Sequence, residues 1–360
     1  MFENYDPMKR HHLKLHLLIT LDAPLSHIGE SVGNQSNLKT LKITDLEGNP
    51  SEVFCYSGNA LRNGILRRKG VDNFLDALDI SVSPAVHQTL FAGGFIDGGT
   101  GSDLELDKKI RRLLPPISVL GTAKPRGLFG SKDAQMIHGR LAVGDAQLVC
   151  FETSEYLYNS FRPILPHDCL EGLEAVIVAK EKLARSRINN WLSGETEGGE
   201  VDQTEYTEAL NYWLPFLLEK LRTFTEWLTY NQKTRRDSLH QTNLHKHLAL
   251  PQEQLNLLAG ESEKKEKEKS RQMITGDWLL QQGAQLYSRW DGFITDIEEG
   301  FLADALLKFS ESPYLGGKSA TGCGRVSMQI WFECGDDFGE WMQLSGNTQK
   351  ISDRASEQLG

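Results

Sequence analysis

Four positively charged side chains share a short segment that contains no acidic residue. Residues 54–70 include no aspartate or glutamate and carry Arg62, Arg67, Arg68 and Lys69. Strand-forming residues continue as far as Tyr56. Ser57 or Asn59 can then cap a helix, and the apolar residues that follow recur at helical spacing. Because a helix N-terminus presents unpaired N–H groups and partial positive charge, a strand–turn–helix unit of this kind suits a phosphate. The local sequence leaves open the simpler alternative of a capped amphipathic helix with solvated arginines.

A second stretch, residues 314–326, reads YLGGKSATGCGRV. Its Gly-Gly-Lys-Ser segment is not a P-loop, since Ser312 stands where that motif needs glycine and the alternation after Val326 predicts a strand instead of a helix. The stretch is therefore interpreted as a glycine-lined loop. Its backbone can approach a phosphate or a ribose closely, beside the polar side chains Lys318, Ser319, Thr321 and Arg325.

Other candidate sites give weaker signals. Lys124 and Arg126 lie in a loop near Phe129, a combination that suits single-stranded nucleic acid, although an ordinary exposed loop explains it equally well. A further basic cluster at residues 108–112 is diluted by neighbouring acids. Three histidines at residues 240–247 lack the spacing of a zinc site. The sequence predicts no metal and no cofactor.

Composition limits the class of protein. The chain has 360 residues, 39% of them hydrophobic, and a formal net charge of −10. Acid is concentrated at residues 195–208 and 333–340, which leaves other surfaces locally basic. Five cysteines without C-x-x-C spacing favour reduced thiols. No apolar run long enough for a membrane span and no signal-peptide core are found, so we expect a cytoplasmic protein without a membrane partner.

Periodicity predicts the main elements. Alternation at residues 12–21 predicts a strand with one apolar face and one solvated face that carries His12 and His16. Further strands are predicted at residues 38–45, 53–56, 117–121, 136–151 and 326–332. Helices are predicted at residues 73–78, 173–191, 206–230 and 294–308, and a polar loop at residues 31–37. Residues 1–171 and 276–345 then form one discontinuous unit, residues 172–275 a helical insertion, and residues 346–360 a tail.

Two motifs in this order resemble a known family. The first motif has the form G-small-small-L-[KR] and consists of Gly58, Asn59, Ala60, Leu61 and Arg62. The second motif has the form G-G-x4-G-x-G-[RK]-V and occupies residues 316–326. Together they resemble the RAMP superfamily of CRISPR-associated proteins, in particular the Cas seven-type subunits that form the effector backbone. The resemblance covers residues 12–150 and 294–333. The chain departs from the family pattern in two places. Asn63 stands where glycine usually follows the basic residue, and the usual arginine is displaced to Arg67.

The resemblance implies an α+β fold: an RRM-like or ferredoxin-like palm with an antiparallel sheet, loop insertions and a large helical insertion. It also implies a surface that faces the guide backbone. Together with the basic residues identified above, the predicted RNA-binding residues are Gly58, Asn59, Arg62, Arg67, Arg68, Lys124, Arg126, Gly316, Gly317, Lys318, Ser319, Thr321, Gly322 and Arg325.

The implied function is that of a backbone subunit that multimerises along guide RNA (crRNA) without nuclease activity. Its implied partners are the guide RNA, target DNA or RNA through the guide, other copies of itself and other CRISPR effector subunits. Nuclease-active relatives carry an aspartate in the loop before the first motif, whereas residues 31–39 here contain no acid, which favours a type IV-like or other cleavage-deficient system. Two alternatives remain open: a metal-dependent endoribonuclease using Asp22 or Asp45, and an interaction protein that binds no nucleic acid.

Overall fold

A computed structural model describes residues 9–94, 104–124, 135–194, 203–237, 271–334, 337–338 and 342–343. The strands are β1 (Arg10–Leu21), β2 (Ile28–Val32), β3 (Gln35–Leu38), β4 (Thr40–Thr44), β5 (Pro50–Tyr56), β6 (Thr122–Lys124), β7 (Gln135–Ile137), β8 (Leu141–Val143), β9 (Ala146–Leu148), β10 (Leu228–Asp237), β11 (Arg271–Leu280), β12 (Gln285–Thr295), β13 (Val326–Cys334), β14 (Asp337–Phe338) and β15 (Met342–Gln343). The α-helices are α1 (Gly58–Leu61), α2 (Asp72–Ala77), α3 (Pro84–Phe91), α4 (Leu104–Leu113), α5 (Pro115–Leu120), α6 (Ser154–Ser160), α7 (His167–Leu192), α8 (Thr204–Lys220) and α9 (Asp296–Glu311). A π-helical segment, Arg62–Val71, joins α1 to α2. We call the continuous unit of α1, this segment and α2 the basic helix.

The central sheet has the order β14-β13-β1-β12-β9-β5-β4. β1 is antiparallel to both of its neighbours, β12 and β13. The basic helix lies in the chain between β1 and β9, and α9 lies between β12 and β13, so the path β13-β1-β12-β9 has the strand order of a split βαβ, ferredoxin-like unit. The α+β palm with an antiparallel sheet is confirmed.

Two helical layers cover the two faces of β1. Leu13, Leu15, Leu17 and Ile19 are buried on one face in the main core, against the basic helix and α9. Phe74 of the basic helix meets Phe301 of α9 edge to face, with ring centroids 6.2 Å apart. The strand prediction for this segment is confirmed.

The prediction that the second face of β1 is solvated is wrong for His16. This residue is 2% exposed, its ring stacks on Phe161 with centroids 4.4 Å apart, and its Nδ1 lies 2.8 Å from the Tyr287 hydroxyl. A second core, formed mainly by α6, α7 and α8, covers this face. Periodicity could not reveal that cover, because the covering helices lie about 150 residues further along the chain.

A second sheet, with the order β10-β11-β3-β2, adjoins the palm. The loop predicted at residues 31–37 is instead the hairpin of β2 and β3, which turns at Gly33 with φ +59°. Of the predicted insertion at residues 172–275, the described part holds most of α7 and all of α8, and also β10 and the start of β11. The helix predicted at residues 206–230 ends at Lys220, and β10 begins at Leu228.

One predicted strand is a helix. Residues 117–121 were expected to form an apolar strand, but they lie mostly in α5, which begins with Pro115 and Pro116 in its first turn. Proline there loses no hydrogen bond and its fixed φ suits a helix start. Residues 136–151, predicted as one long strand or a bulged pair with bends at Gly139 and Gly144, form β7, β8 and β9, and the two breaks contain those glycines. Among the described residues, no helix has the length and apolar character that a membrane span requires.

Candidate nucleic-acid interface

The basic helix and the glycine-rich loop face each other across a cleft of about 830 Å³. One wall consists of Asn63, Gly64, Arg68 and Lys69, and the other of residues 312–320. The floor includes Tyr56, whose hydroxyl accepts a hydrogen bond from the Gly316 backbone N–H at 2.8 Å. None of the described residues that line the cleft is acidic. The two sequence motifs therefore lie side by side, and we call this space the basic cleft.

The helical pitch decides which side chains reach the basic cleft. In a π-helix residues five apart share a face, because each N–H bonds to the carbonyl five residues earlier. Asn63 and Arg68 are one such pair, and Gly64 and Lys69 are another. The same spacing puts Leu61 and Leu66 together in the core.

Arg62 and Arg67, also five residues apart, do not line the basic cleft. Arg67 donates to the carbonyl oxygens of Leu90 at 2.9 Å and Gly121 at 2.8 Å, and burial lowers its pKa. Arg62 is half-buried, with its Nε buried and without a hydrogen-bond partner. Arg67 thus ties the basic helix to α3 and α5, whereas Arg68 is the exposed cation of this segment.

The N-terminus of the basic helix already holds an anionic group. Asp145 accepts a hydrogen bond from the Gly58 N–H at 2.7 Å, and the Ser57 hydroxyl caps the Ala60 N–H. A Cβ at position 58 would overlap the Val143 carbonyl oxygen. Gly58 therefore serves close packing, and Asn59 remains exposed beside it.

Two glycines of the second motif are required by backbone geometry. Gly316 and Gly324 have φ of +73° and +85°. A Cβ at Gly316 would overlap the Ser26 carbonyl oxygen, and a Cβ at Gly324 would overlap that of Leu315. A backbone bond from Gly317 N–H to Ser26 O at 3.1 Å holds the loop against the rest of the palm. The glycine-rich loop is consequently anchored to Ser26 and, through Gly316, to the Tyr56 hydroxyl at the floor of the basic cleft.

The polar residues of this loop divide between the basic cleft and the outer surface. Lys318 and Ser319 line the cleft. Lys318 forms an ion pair with Asp277 of β11, whose carboxylate is largely buried. The Thr321 hydroxyl donates to the Lys318 carbonyl oxygen at 2.8 Å. Gly322, with φ +82°, and Arg325 are both exposed. None of these three residues is among those that line the cleft.

Two glycines on opposite walls of the basic cleft face open space. A Cβ at Gly64 or at Gly317 would meet no atom of the described residues within 4 Å, and neither residue has a positive φ. The fold itself does not require glycine at either position. Glycine in a helix interior costs stability relative to alanine, and no packing contact of the described residues offsets that cost at Gly64.

His27 lies at the edge of the basic cleft as a neutral ring. Its Nε2 accepts from the Ser57 N–H at 3.3 Å, and its ring lies on Tyr56 with centroids 4.2 Å apart. Burial, and then the charge of Lys39, lower its pKa from 6.5, while Asp145 opposes this shift.

The pKa of His27 predicts a loss of stability in mild acid. Because the folded state holds the pKa below the unfolded value, the unfolded chain takes up the proton first as the pH falls through 6.5. Stability is thus fully present above pH 6.5 and decreases below it. Thermal unfolding between pH 7.5 and 5.5 should show a smaller decrease for His27→Gln than for the wild type. Equal decreases would show that His27 does not contribute.

The remaining predicted site residues lie outside the described interface. Arg126 is outside the described residues, and of Lys124 only the backbone, at the end of β6, is described. Asp45 is 6% exposed and holds the turn before β5 by accepting from the Asn49 N–H at 2.8 Å. Asp22 accepts from the Ser327 hydroxyl at 3.2 Å. Neither carboxylate lines the basic cleft.

Several residues of the basic cleft were not predicted. His27 comes from a segment without a motif. Tyr314, at the start of the second stretch, was not assigned to the site, and neither were Asn63, Gly64 and Lys69. A helical wheel with π-helical spacing would have placed the last three beside Arg68. The contribution of His27 depends on tertiary contacts and gave no signal in the sequence.

The comparisons with known proteins give two structural likenesses. The structure is similar to a chain of a solved Type IV-B CRISPR complex, with 13% identity, a TM-score of 0.46 and coverage of 93% of this chain and 98% of that chain. It is also similar to Csc2 of Thermofilum pendens, with 11% identity, a TM-score of 0.37 and coverage of 100% and 80% respectively. No protein-family profile matches the sequence. No curated protein matches it either.

Proposed function

We propose that this protein is a backbone subunit of a CRISPR effector complex and holds guide RNA in the basic cleft without cutting it. In this proposal several copies assemble along one guide together with other effector subunits. The guide then pairs with target DNA or RNA, so that base pairing and not the protein reads the sequence.

One observation carries the proposal: the basic cleft contains cations and open glycines on facing walls, and no acid is found among its described lining residues. Arg68 and Lys69 supply two charges for phosphate oxygens. Gly64 and Gly317 leave room for a ribose-phosphate strand to touch the backbone on both sides. Asn63 and Ser319 are hydrogen-bonding groups suited to ribose hydroxyls, and such contacts require no particular base.

The nuclease alternative has no comparable support. Cleavage of a ribose-phosphate bond with a metal needs carboxylates beside the strand. Asp45 is occupied by its own turn and Asp22 lies outside the lining of the basic cleft. The alternative of a protein that binds no nucleic acid leaves the open glycines on both walls unexplained.

The proposal is tested by measuring RNA binding directly. The purified chain is titrated with a labelled single-stranded RNA at several salt concentrations, and the RNA that copurifies from a host expressing a CRISPR array is sequenced. We expect guide-derived RNA in the preparation and an affinity that falls steeply with salt. A preparation free of RNA that also fails to bind RNA at low salt would contradict the proposal.

A single substitution should strengthen binding. Asp277→Asn removes the charge that engages Lys318, so that the lysine becomes available to a phosphate. We expect up to about tenfold higher affinity and a salt dependence steeper by about 0.7 in log–log slope, the value for one more contact to a single strand. Asp22→Asn makes the same change of charge outside the cleft lining and serves as the control. If Asp277→Asn binds no better than Asp22→Asn, Lys318 does not contact RNA.

A further inference from the structure

A second, smaller cavity lies at the other end of α9. It has a volume of about 180 Å³, and Arg111, Arg112 and Arg140 line it together with the start of α9. Thr295, the N-cap of α9, lies opposite Arg10 at the start of β1. The basic cleft instead lies near the end of β1 and the C-terminal end of α9. Since α9 has 16 residues, the two sites are about 24 Å apart along its axis. We call this cavity the arginine pocket.

The described lining of the arginine pocket holds three arginines and one acid, Glu298. Arg140 pairs with Glu298 at 2.6 Å, and Arg111 pairs with Asp107 at 3.1 Å. Arg112 is exposed and pairs with no acid in the described part of the chain. Asp296 and Glu299, the other acids in the first turn of α9, pair with His11 and are not among the lining residues.

Arg111 also has an unused donor. Its Nε bonds to Asp107 and its Nη2 donates to the His138 carbonyl oxygen at 2.9 Å. Its Nη1 is buried and has no hydrogen-bond partner. Buried polar groups are almost always bonded, and an exception points to a missing water or ion. For a guanidinium nitrogen the partner must be an acceptor.

We propose that the arginine pocket binds a tetrahedral oxyanion, phosphate or a terminal phosphate monoester. Arginine forks present paired donors that match phosphate oxygens, and such charge-assisted bonds are the strong ones. Three guanidinium groups from α4 and the segment before β8 can bond different oxygens of one tetrahedral anion, while Glu298 and Asp107 hold two of these groups in place. The proposal does not depend on the function of the basic cleft.

The test uses inorganic phosphate first. The full chain is titrated with phosphate at constant ionic strength and binding is followed by ³¹P line broadening. Arg112→Gln removes a cation without a partner, so the fold should be preserved, and we expect about tenfold weaker binding. Lys108→Gln, one turn away on α4 at a residue paired with Glu105, is the matched control. Arg68→Gln with Lys69→Gln measures any phosphate bound in the basic cleft.

The outcomes are distinct. The arginine pocket is supported if Arg112→Gln weakens phosphate binding while Lys108→Gln and the double substitution in the basic cleft leave it unchanged. Phosphate binding that Arg112→Gln leaves unchanged, or no binding in wild-type protein, overturns it. A second titration compares short RNAs with a 5′-phosphate and a 5′-hydroxyl. Preference for the phosphate that Arg112→Gln abolishes identifies an RNA end as the source, and equal binding identifies the free anion.

Discussion

Reversal of two charges on one wall of the basic cleft is expected to abolish most RNA binding. Arg68→Glu with Lys69→Glu replaces two cations that line the cleft by two anions. Arg68 is exposed and Lys69 is half-buried. Each charge-assisted hydrogen bond contributes about 1.5–3 kcal/mol, so the loss of two lowers the affinity about a hundredfold or more. The log–log salt slope should decrease by about 1.4, the value for two phosphate contacts on a single strand.

The matched control for this charge reversal lies on α7. Arg185→Glu with Arg187→Glu gives the same change in net charge at two exposed positions outside the cleft lining. It should reduce affinity only through the long-range field, which salt screens. Equal losses in the two double variants would show that net charge, and not the basic cleft, governs binding.

Addition of one methyl group at Gly64 is expected to separate stability from binding. A Cβ there meets no atom of the described part of the chain within 4 Å, and alanine is favoured over glycine in a helix by up to about 1 kcal/mol. Gly64→Ala should therefore fold with equal or higher stability. If a ribose-phosphate strand touches this position, the methyl group overfills the contact at a cost of about 1–3 kcal/mol, which corresponds to about tenfold weaker binding.

Gly70, on the same π-helical segment, gives the opposite expectation. A Cβ there would lie 2.5 Å from the Ala305 Cβ of α9 and 3.3 Å from the Phe301 ring. Gly70→Ala should destabilise the fold by about 1–3 kcal/mol and should leave the affinity of the folded fraction unchanged. Urea unfolding and RNA titration of both variants check the pair. Gly64→Ala with unchanged affinity would show that the bound strand does not approach this wall.

The sequence predicted the palm better than it predicted the orientation of the site. Strict alternation identified β1, and the segments that carry the two motifs lie on opposite walls of one cleft. Which cations face that cleft depended on the π-helical pitch, since α-helical spacing places Arg67, and not Lys69, on the face of Asn63 and Gly64. The burial of His16 and the helix at α5 depended on distant packing and on proline at a helix start, respectively. The ion pair of Lys318 with Asp277 joins residues about 40 positions apart and left no mark on the sequence.

The most direct measurement is ultraviolet cross-linking of bound guide RNA, followed by mass spectrometry of the cross-linked peptides. We predict cross-links at residues 63–69 and 312–320, the two walls of the basic cleft, and their loss in the Arg68→Glu, Lys69→Glu variant. Cross-links confined to other surfaces, such as α7 and α8, with both walls unmodified, would contradict the proposal that this cleft holds the RNA.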